Sequence, residues 1–175
     1  WLIGIPSYWD EYSRMVRVLP GRKYKNIYNY ILGDYRWMQQ ESTFFTKSIW
    51  ERSGAYLDES YQLAIDTELW SRFFLHEKVW NVETIIGGYR RHTANRAIKN
   101  YEKVIEESDR VIREMLKNVD QEKIDTAQKI KKAIELKNQF TKYRIPLDWP
   151  RIIDKFYRKE LDKAQHESIC FSYDY

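Results

Sequence analysis

The sequence has little of what a secreted, disulfide-bonded or membrane-spanning protein needs. Cys170 is the only cysteine among 175 residues, so a disulfide within the chain and a zinc site built from cysteines are both excluded. A single cysteine is typical of a reducing compartment. No apolar run reaches the length of a transmembrane helix, and there is no signal-peptide pattern. We therefore predict a cytoplasmic protein, with the inner face of a membrane as a second location.

A large excess of charge of one sign is also missing. Lys and Arg number 30 and Asp and Glu 26, which gives a net charge of +4 mixed along the chain. This small excess is weak evidence for nucleic-acid binding, and we predict none. It suits an anionic ligand such as a nucleotide diphosphate, or an anionic membrane surface. The 43% hydrophobic and 32% charged residues are a globular composition, and the length predicts one domain or a large part of one.

Short strand and helix patterns alternate through residues 1–96. Apolar runs predict strands at residues 1–5, 79–82 and 85–89. Mixed or helical spacing favours helices at residues 8–19, 24–32 and 46–52. A further helix is predicted to follow Asp66, which stands where its N-cap belongs. Gly87 and Gly88 predict a bulge or a close approach of the backbone to another group.

Residues 97–175 contain no glycine and have a different texture. Apolar stripes outline three amphipathic helices, at residues 98–115, 124–134 and 149–161. They predict an antiparallel helical hairpin with a further helix packed against it. The fold class is therefore α/β, or α+β within this stretch of chain, with a division into residues 1–96 and a helical extension at residues 97–175.

The middle of the chain resembles a known enzyme family. Residues 39–73, QQESTFFTKSIWERSGAYLDESYQLAIDTELWSRF, and residues 79–95, VWNVETIIGGYRRHTAN, are similar to the second half of a family 2 glycosyltransferase with the GT-A fold. That family has Gln–x–Ser/Thr–x–Phe before a helix that ends in Gly, then Asp–x–x–Leu–Trp, then Tyr–Arg–x–His. The matching residues here are Gln40, Ser42, Phe44, Gly54, Asp66, Leu69, Trp70, Tyr89, Arg90 and His92.

The resemblance implies the C-terminal half of a GT-A domain and an inverting transfer, in polysaccharide or glycoconjugate synthesis. A sugar would move from a nucleotide-sugar donor to a hydroxyl of a saccharide or lipid-linked acceptor. Such a reaction needs a base that takes the proton of the attacking hydroxyl. In the family, the residue matching Asp66 is that base. An ordinary helix cap is the alternative interpretation of this residue.

Other roles follow from the same resemblance. Arg90, Arg91 and His92 end a strand, and His92 is implied to help bind the metal or the diphosphate. A solvated basic strand end is the alternative, and for Arg91 we favour it. Three consecutive residues, Gln40, Glu41 and Ser42, would lie near the donor sugar or the acceptor. Trp70 is a candidate for stacking on a sugar, although its helical face also suits the core.

One departure from the family concerns the metal. Members carry a metal-binding Asp–x–Asp within a nucleotide-binding half, and this sequence has none before Gln40. The chain also begins at Trp1 without a methionine, as a fragment or a processed product would. We therefore expect Mg²⁺ or Mn²⁺ to act only in the complete enzyme, and this chain alone to be inactive.

Two other functions remain as alternatives. One is a non-catalytic helical module, derived from such an enzyme, that binds a partner or a membrane. Basic stretches at residues 129–132 and 155–159 are candidates for peripheral membrane contact, although a solvated charged face explains them as well. The other alternative is an RNA-binding protein, which no sequence signature supports.

Overall fold

Seven short strands and six helices make up the described part of the chain, which comprises residues 1–19, 25–34, 38–142 and 169–171 of a computed structural model. The strands form two small sheets of mixed direction. The predicted α+β class is confirmed at this level.

The first sheet carries the chain's N-terminal strand near its centre. Its order is β4 (Thr43–Phe44), β1 (Leu2–Ile3), β5 (Trp80–Val82) and β7 (Ile169–Phe171). Strand β1 runs antiparallel to β4 and parallel to β5, and β5 runs parallel to β7. The strands predicted at residues 1–5 and 79–82 are confirmed.

The second sheet contains a hairpin where a helix was expected. Its order is β3 (Met15–Val18), β2 (Ser7–Trp9) and β6 (Tyr89–Arg90). The prediction of a helix at residues 8–19 is wrong, because Asp10 organises a tight turn. Its carboxylate accepts the backbone N–H groups of Tyr12 and Arg14 at 2.9 Å each and the Arg14 Nε–H at 2.7 Å. In place of the strand predicted at residues 85–89, the structure has the two-residue strand β6, which begins at the last predicted residue.

Local signals place the first helices correctly. Helices α1 (Ile27–Ile31) and α2 (Lys47–Arg52) fall within the predicted segments. Asn26 caps α1 through its side chain, and the Thr46 Oγ1 caps α2 by accepting the Ile49 N–H at 3.4 Å. Gly54 follows α2 with a φ of +97°, a conformation that glycine adopts without strain.

The later helices are α3 (Ile65–His76), α4 (Arg96–Lys99), α5 (Tyr101–Leu116) and α6 (Gln121–Lys142). The single helix predicted at residues 98–115 is divided at Asn100, which separates α4 from α5. The helix predicted at residues 124–134 is confirmed by α6. The third predicted helix, at residues 149–161, and the basic stretch at residues 155–159 lie outside the described residues.

An aromatic cluster forms the centre of the core. The rings of Trp1 and Trp70 stack with centroids 5.8 Å apart, and Phe74 meets Trp1 edge-on at 4.7 Å. Helix α5 packs mainly on α3, and α6 packs mainly on α1. Side chains of α5 and α6, such as Ile112 and Ala127, belong to the same buried cluster as Trp1. The helices after residue 96 thus share one core with the sheets, and the division at residue 96 stays a prediction.

Within the described residues, none of the helices combines the length and the apolar character needed to cross a membrane. The longest, α6, spans 22 residues, and between residues 121 and 136 its exposed positions include Glu122, Lys129, Lys131, Lys132 and Glu135.

Candidate functional site

A cavity of about 570 Å³ opens where the second sheet meets the start of α3 and the α4–α5 segment. Four of the predicted site residues line it: Gln40, Glu41, Asp66 and Arg91. Gln40 and Glu41 come from a single 3-10 turn (Gln40–Ser42) and Asp66 from α3, while Arg91 directly follows β6. The structure therefore brings together residues that are up to 51 positions apart in the chain (91 − 40 = 51).

Asp66 is the second residue of α3, so the prediction that it caps this helix is wrong. The N-cap is Ala64, which has no side-chain cap. The Asp66 Oδ1 instead accepts the N–H of the next residue, Thr67, at 2.8 Å. An acidic side chain in the first turn still interacts favourably with the positive end of the helix dipole. Asp66 therefore lies in the cavity wall at the start of α3.

The surroundings of Asp66 raise its pKa above the usual value of an aspartate. Burial among protein atoms is the main cause, because it disfavours the charged form, and the negative charge of Glu41 adds to it. Hydrogen bonds from backbone N–H groups, chiefly that of Thr67, lower the pKa and offset part of this rise. A carboxylate with a raised pKa holds a proton more readily, as a general base must.

A carboxylate from a different helix holds the backbone just before α3. The Glu107 Oε2 atom, on α5, accepts three consecutive backbone N–H groups: those of Gln62 at 3.0 Å, Leu63 at 2.8 Å and Ala64 at 3.0 Å. Burial alone would raise the pKa of Glu107, but these three donors outweigh it and the pKa is lowered. Glu107 therefore stays ionised and fixes the chain just before Asp66.

Two neighbours of Glu107 hold the same loop. Lys103 donates through Nζ to the Gln62 Oε1 at 2.7 Å, and Arg110 donates to the Ser60 carbonyl at 3.1 Å. The Arg110 guanidinium also lies 3.8 Å from the centre of the Tyr61 ring. We call Lys103, Glu107 and Arg110 the α5 clasp. Its spacing of four and three residues places all three side chains on one helical face.

Sequence analysis missed the α5 clasp for a clear reason. Mixed charges three and four residues apart on a helix usually form a solvated surface. The partners of the clasp lie 41 to 50 residues earlier in the chain, so no local pattern points to them. One signal for Glu107 was present in the sequence. It is an acidic residue on the same helical face as Val111, which is buried.

Paired hydrogen bonds position the turn that carries Gln40 and Glu41. The Gln39 side chain accepts the Ser7 N–H at 3.0 Å and donates to the Ser7 carbonyl at 2.9 Å. Ser42 is fully buried, and its hydroxyl donates to the Gly87 carbonyl at 2.8 Å. The Ser7 hydroxyl donates to the same oxygen at 2.9 Å. Ser42 therefore holds the backbone in place and does not line the cavity.

The expected close approach at Gly87 and Gly88 is confirmed. A Cβ atom on Gly87 would overlap the backbone carbonyl of Glu41, and one on Gly88 would overlap the Trp9 ring and the Ser7 hydroxyl. Gly87 thus lets the Glu41 turn lie against the extended segment that leads to β6.

Replacing Gly87 by alanine is expected to destabilise the protein by about 1–3 kcal/mol, because the added carbon has to displace a backbone carbonyl. Denaturant unfolding would measure the loss. Gly33→Ala is the matched control, since nothing lies within 4 Å of a Cβ there and only its φ of +77° opposes the change. Equal midpoints for the two variants would contradict the steric argument.

Arg91, and not Arg90, faces the cavity. Its guanidinium lies 4.6 Å from the centre of the Tyr8 ring, and Tyr8 meets Tyr89 edge-on at 6.3 Å. Side chains alternate along a strand, so Arg90 points the other way and donates to the Ser13 hydroxyl at 3.1 Å. Arg91 is also exposed to solvent, so its position is compatible both with lining the cavity and with the predicted solvated strand end.

Trp70 and His92 lie away from the cavity. Trp70 is 2% exposed and packs in the core between Trp1 and Phe73, so it offers no ring face to a sugar. The His92 Nδ1 accepts the Ala94 N–H at 3.2 Å on an exposed turn. Across the described ranges, no group of three His, Cys, Asp or Glu side chains could hold a metal ion. These residues therefore do not fit a divalent-cation site by themselves.

Comparison of the chain with protein-family models, with curated proteins and with solved structures found no match.

Proposed function

We propose that the chain is the acceptor-side, C-terminal half of a GT-A glycosyltransferase that moves a sugar from a nucleotide-sugar donor to an acceptor hydroxyl with inversion. The observation that carries the proposal is the position of Asp66. Its carboxylate lies in the wall of a ligand-sized cavity, at the start of a helix, with a raised pKa. The presence of Gln40, Glu41 and Arg91 in the same cavity gives further support.

In the proposed reaction, Asp66 accepts the proton of the acceptor hydroxyl while that oxygen attacks the anomeric carbon of the donor. The bond from the anomeric carbon to the diphosphate oxygen breaks, and its electron pair leaves with the nucleoside diphosphate. Asp66 ends the step protonated, and the new glycosidic bond has the opposite anomeric configuration. Burial assists because it makes the protonated carboxyl more favourable than it is in water.

The other cavity residues have supporting roles in this proposal. The guanidinium of Arg91, held over the Tyr8 ring, is suited to bind an anionic group of the substrate. Gln40 and Glu41 can hydrogen-bond sugar hydroxyls. Mg²⁺ or Mn²⁺ would neutralise the leaving diphosphate, and since the described residues contain no ligand set for it, we assign it no step.

The pH dependence of kcat/KM tests the role of Asp66. The base must be ionised, so activity is expected to fall as the pH drops through the raised pKa, above the usual aspartate value of about 3.9. Glu41→Gln removes a negative charge that raises this pKa, so the acidic limb should move to lower pH. The assay needs a transfer-competent form of the protein and a screen of nucleotide-sugar donors.

Glu51→Gln is the control for that profile, because Glu51 is an exposed carboxylate on α2 away from the cavity. The acidic limb should stay in place in this variant. If Glu41→Gln does not shift the acidic limb of the kcat/KM profile, Asp66 is not the titrating base. Absence of transfer with every donor by the complete protein, with its nucleotide-binding half, would favour the alternative of a non-catalytic binding module.

A further inference from the structure

One wall of the cavity is apolar and comes from α4 and the first half of α5. Ile98 and Tyr101 line this wall with 51% and 58% of their surface exposed. Val104 and Ile105 continue it and are half-buried. We call Ile98, Tyr101, Val104 and Ile105 the apolar wall.

The apolar wall is not part of the protein core. In the second half of α5, Val111, Ile112 and Met115 are buried against α3 and its neighbours. The apolar residues of the first half lie beyond that contact and face the cavity instead. Single exposed apolar residues are common on protein surfaces, but several adjacent ones that line one cavity mark a binding surface.

The same cavity is also lined by the polar side chains of Gln40, Glu41, Asp66 and Arg91. A ligand that satisfies both kinds of lining must itself be amphipathic, with hydroxyl groups and hydrocarbon in one molecule. The cavity volume of about 570 Å³ falls within the usual range for small-molecule sites, roughly 300–1,000 Å³. A purely polar saccharide would leave the apolar wall exposed to water. The favourable burial of its side chains would then be lost.

We propose that the acceptor carries an aliphatic aglycone, which binds the apolar wall at Ile98, Tyr101 and Ile105 while its sugar hydroxyl faces Asp66. The inference rests on the proposed function, because it takes Asp66 as the group that the acceptor hydroxyl approaches. Of the two acceptor classes, saccharide and lipid-linked, the inference selects the second: a sugar linked to an alkyl chain.

Binding of octyl and methyl β-D-glucoside to the chain tests the subsite without any donor. The two probes share a sugar and differ only in the alkyl chain, so the ratio of their dissociation constants isolates the contribution of the aglycone. Titration calorimetry below the micelle concentration of octyl glucoside would measure both constants. We expect octyl glucoside to bind at least about tenfold more tightly, since each buried methylene contributes to affinity.

Two substitutions locate the effect. Ile98→Ser and Tyr101→Ser should each reduce the octyl-to-methyl preference several-fold, and together they should bring it close to one. Both side chains are more than half exposed, so the melting temperature should change little. Val16→Ser is the matched control, because Val16 is 58% exposed on β3 and does not line the cavity. It should keep the full preference.

Equal binding of the two glucosides by the unsubstituted chain would overturn the inference. A preference for octyl glucoside that survives Ile98→Ser and Tyr101→Ser would overturn it too, because the alkyl chain would then bind elsewhere. Asp66→Asn should retain the octyl preference, since it leaves the apolar wall intact. If that variant also retained transfer, the proposed catalytic function would fail while the alkyl subsite would stand, so the two failures are distinguishable.

Discussion

Asp66→Asn is expected to lower kcat by about 10²–10⁴-fold, the range that a general base contributes, without loss of the folded structure. Asparagine has the same shape and keeps an oxygen that can accept the Thr67 N–H, but it has no place for the acceptor's proton. Steady-state transfer by the complete enzyme would measure the rate, and thermal unfolding the stability.

The stability of Asp66→Asn has a defined sign. Because the folded state raises the pKa of Asp66, it binds the proton more tightly than the unfolded state does. The ionised side chain therefore opposes folding once the pH rises through the window between the unfolded and folded pKa values. A neutral asparagine removes this opposition, so at pH 7 the variant should be as stable as the original protein or more so.

Asp125→Asn serves as the control for this prediction. Asp125 is exposed on α6, where it accepts a hydrogen bond of 2.8 Å from Gln121, and it lies away from the cavity. Transfer should be unchanged in the control. Near-normal turnover in Asp66→Asn would remove Asp66 from the mechanism.

Glu107→Leu is expected to lower the free energy of unfolding by about 3 kcal/mol or more. The substitution leaves the N–H groups of Gln62, Leu63 and Ala64 without their shared acceptor, and an unsatisfied buried donor costs about 1–3 kcal/mol. Glu107→Gln keeps one neutral acceptor oxygen, so its loss should be smaller. Urea unfolding at pH 7 would measure both variants.

The pH dependence of this stability identifies the charge of Glu107 as the cause. The folded pKa of Glu107 is lowered, so its contribution is complete above the unfolded value, about 4.3, and is lost as the pH falls through the lower folded value. Glu107→Gln should therefore have a flatter acid limb of stability than the original protein. Glu106→Gln is the neighbouring exposed control and should retain the acid limb.

Glu107 is expected to help position Asp66 through the short segment of chain that connects them. The backbone atoms that it binds end at Ala64, two residues before Asp66. We therefore expect Glu107→Gln to reduce kcat more than Glu106→Gln does, with little change in the octyl-to-methyl binding preference. Equal stability and equal kcat in the two variants would contradict the positioning role.

Local signals in the sequence predicted several elements well. Thr46 caps α2, Gly54 follows it in a left-handed conformation, and the apolar run at the N-terminus forms β1. Each of these features depends on residues that are only a few positions apart in the chain. The helix at residues 8–19 failed because a single side chain, Asp10, makes hydrogen bonds that favour a turn over a continuous helix.

The candidate site was only partly accessible from the sequence. The motif order pointed to Asp66, Gln40 and Glu41, and all three line the cavity. It could not separate Arg91 from Arg90, because the face of a strand end depends on the register with its neighbours. It also could not show that Trp70 is buried, because that depends on packing against Trp1, 69 positions away (70 − 1 = 69).

The sequence by itself determined the α+β composition, the approximate positions of several helices and the carboxylate that the proposed chemistry needs. Caps, glycines and apolar periodicity act over a few residues, so one sequence contains all the information for them. Only the tertiary structure decided what surrounds Asp66: the α5 clasp that binds the backbone before α3, the apolar wall on α4 and α5, and the position of Arg91 over the Tyr8 ring. These features arise from contacts between distant residues, and such contacts exist only once the chain has folded.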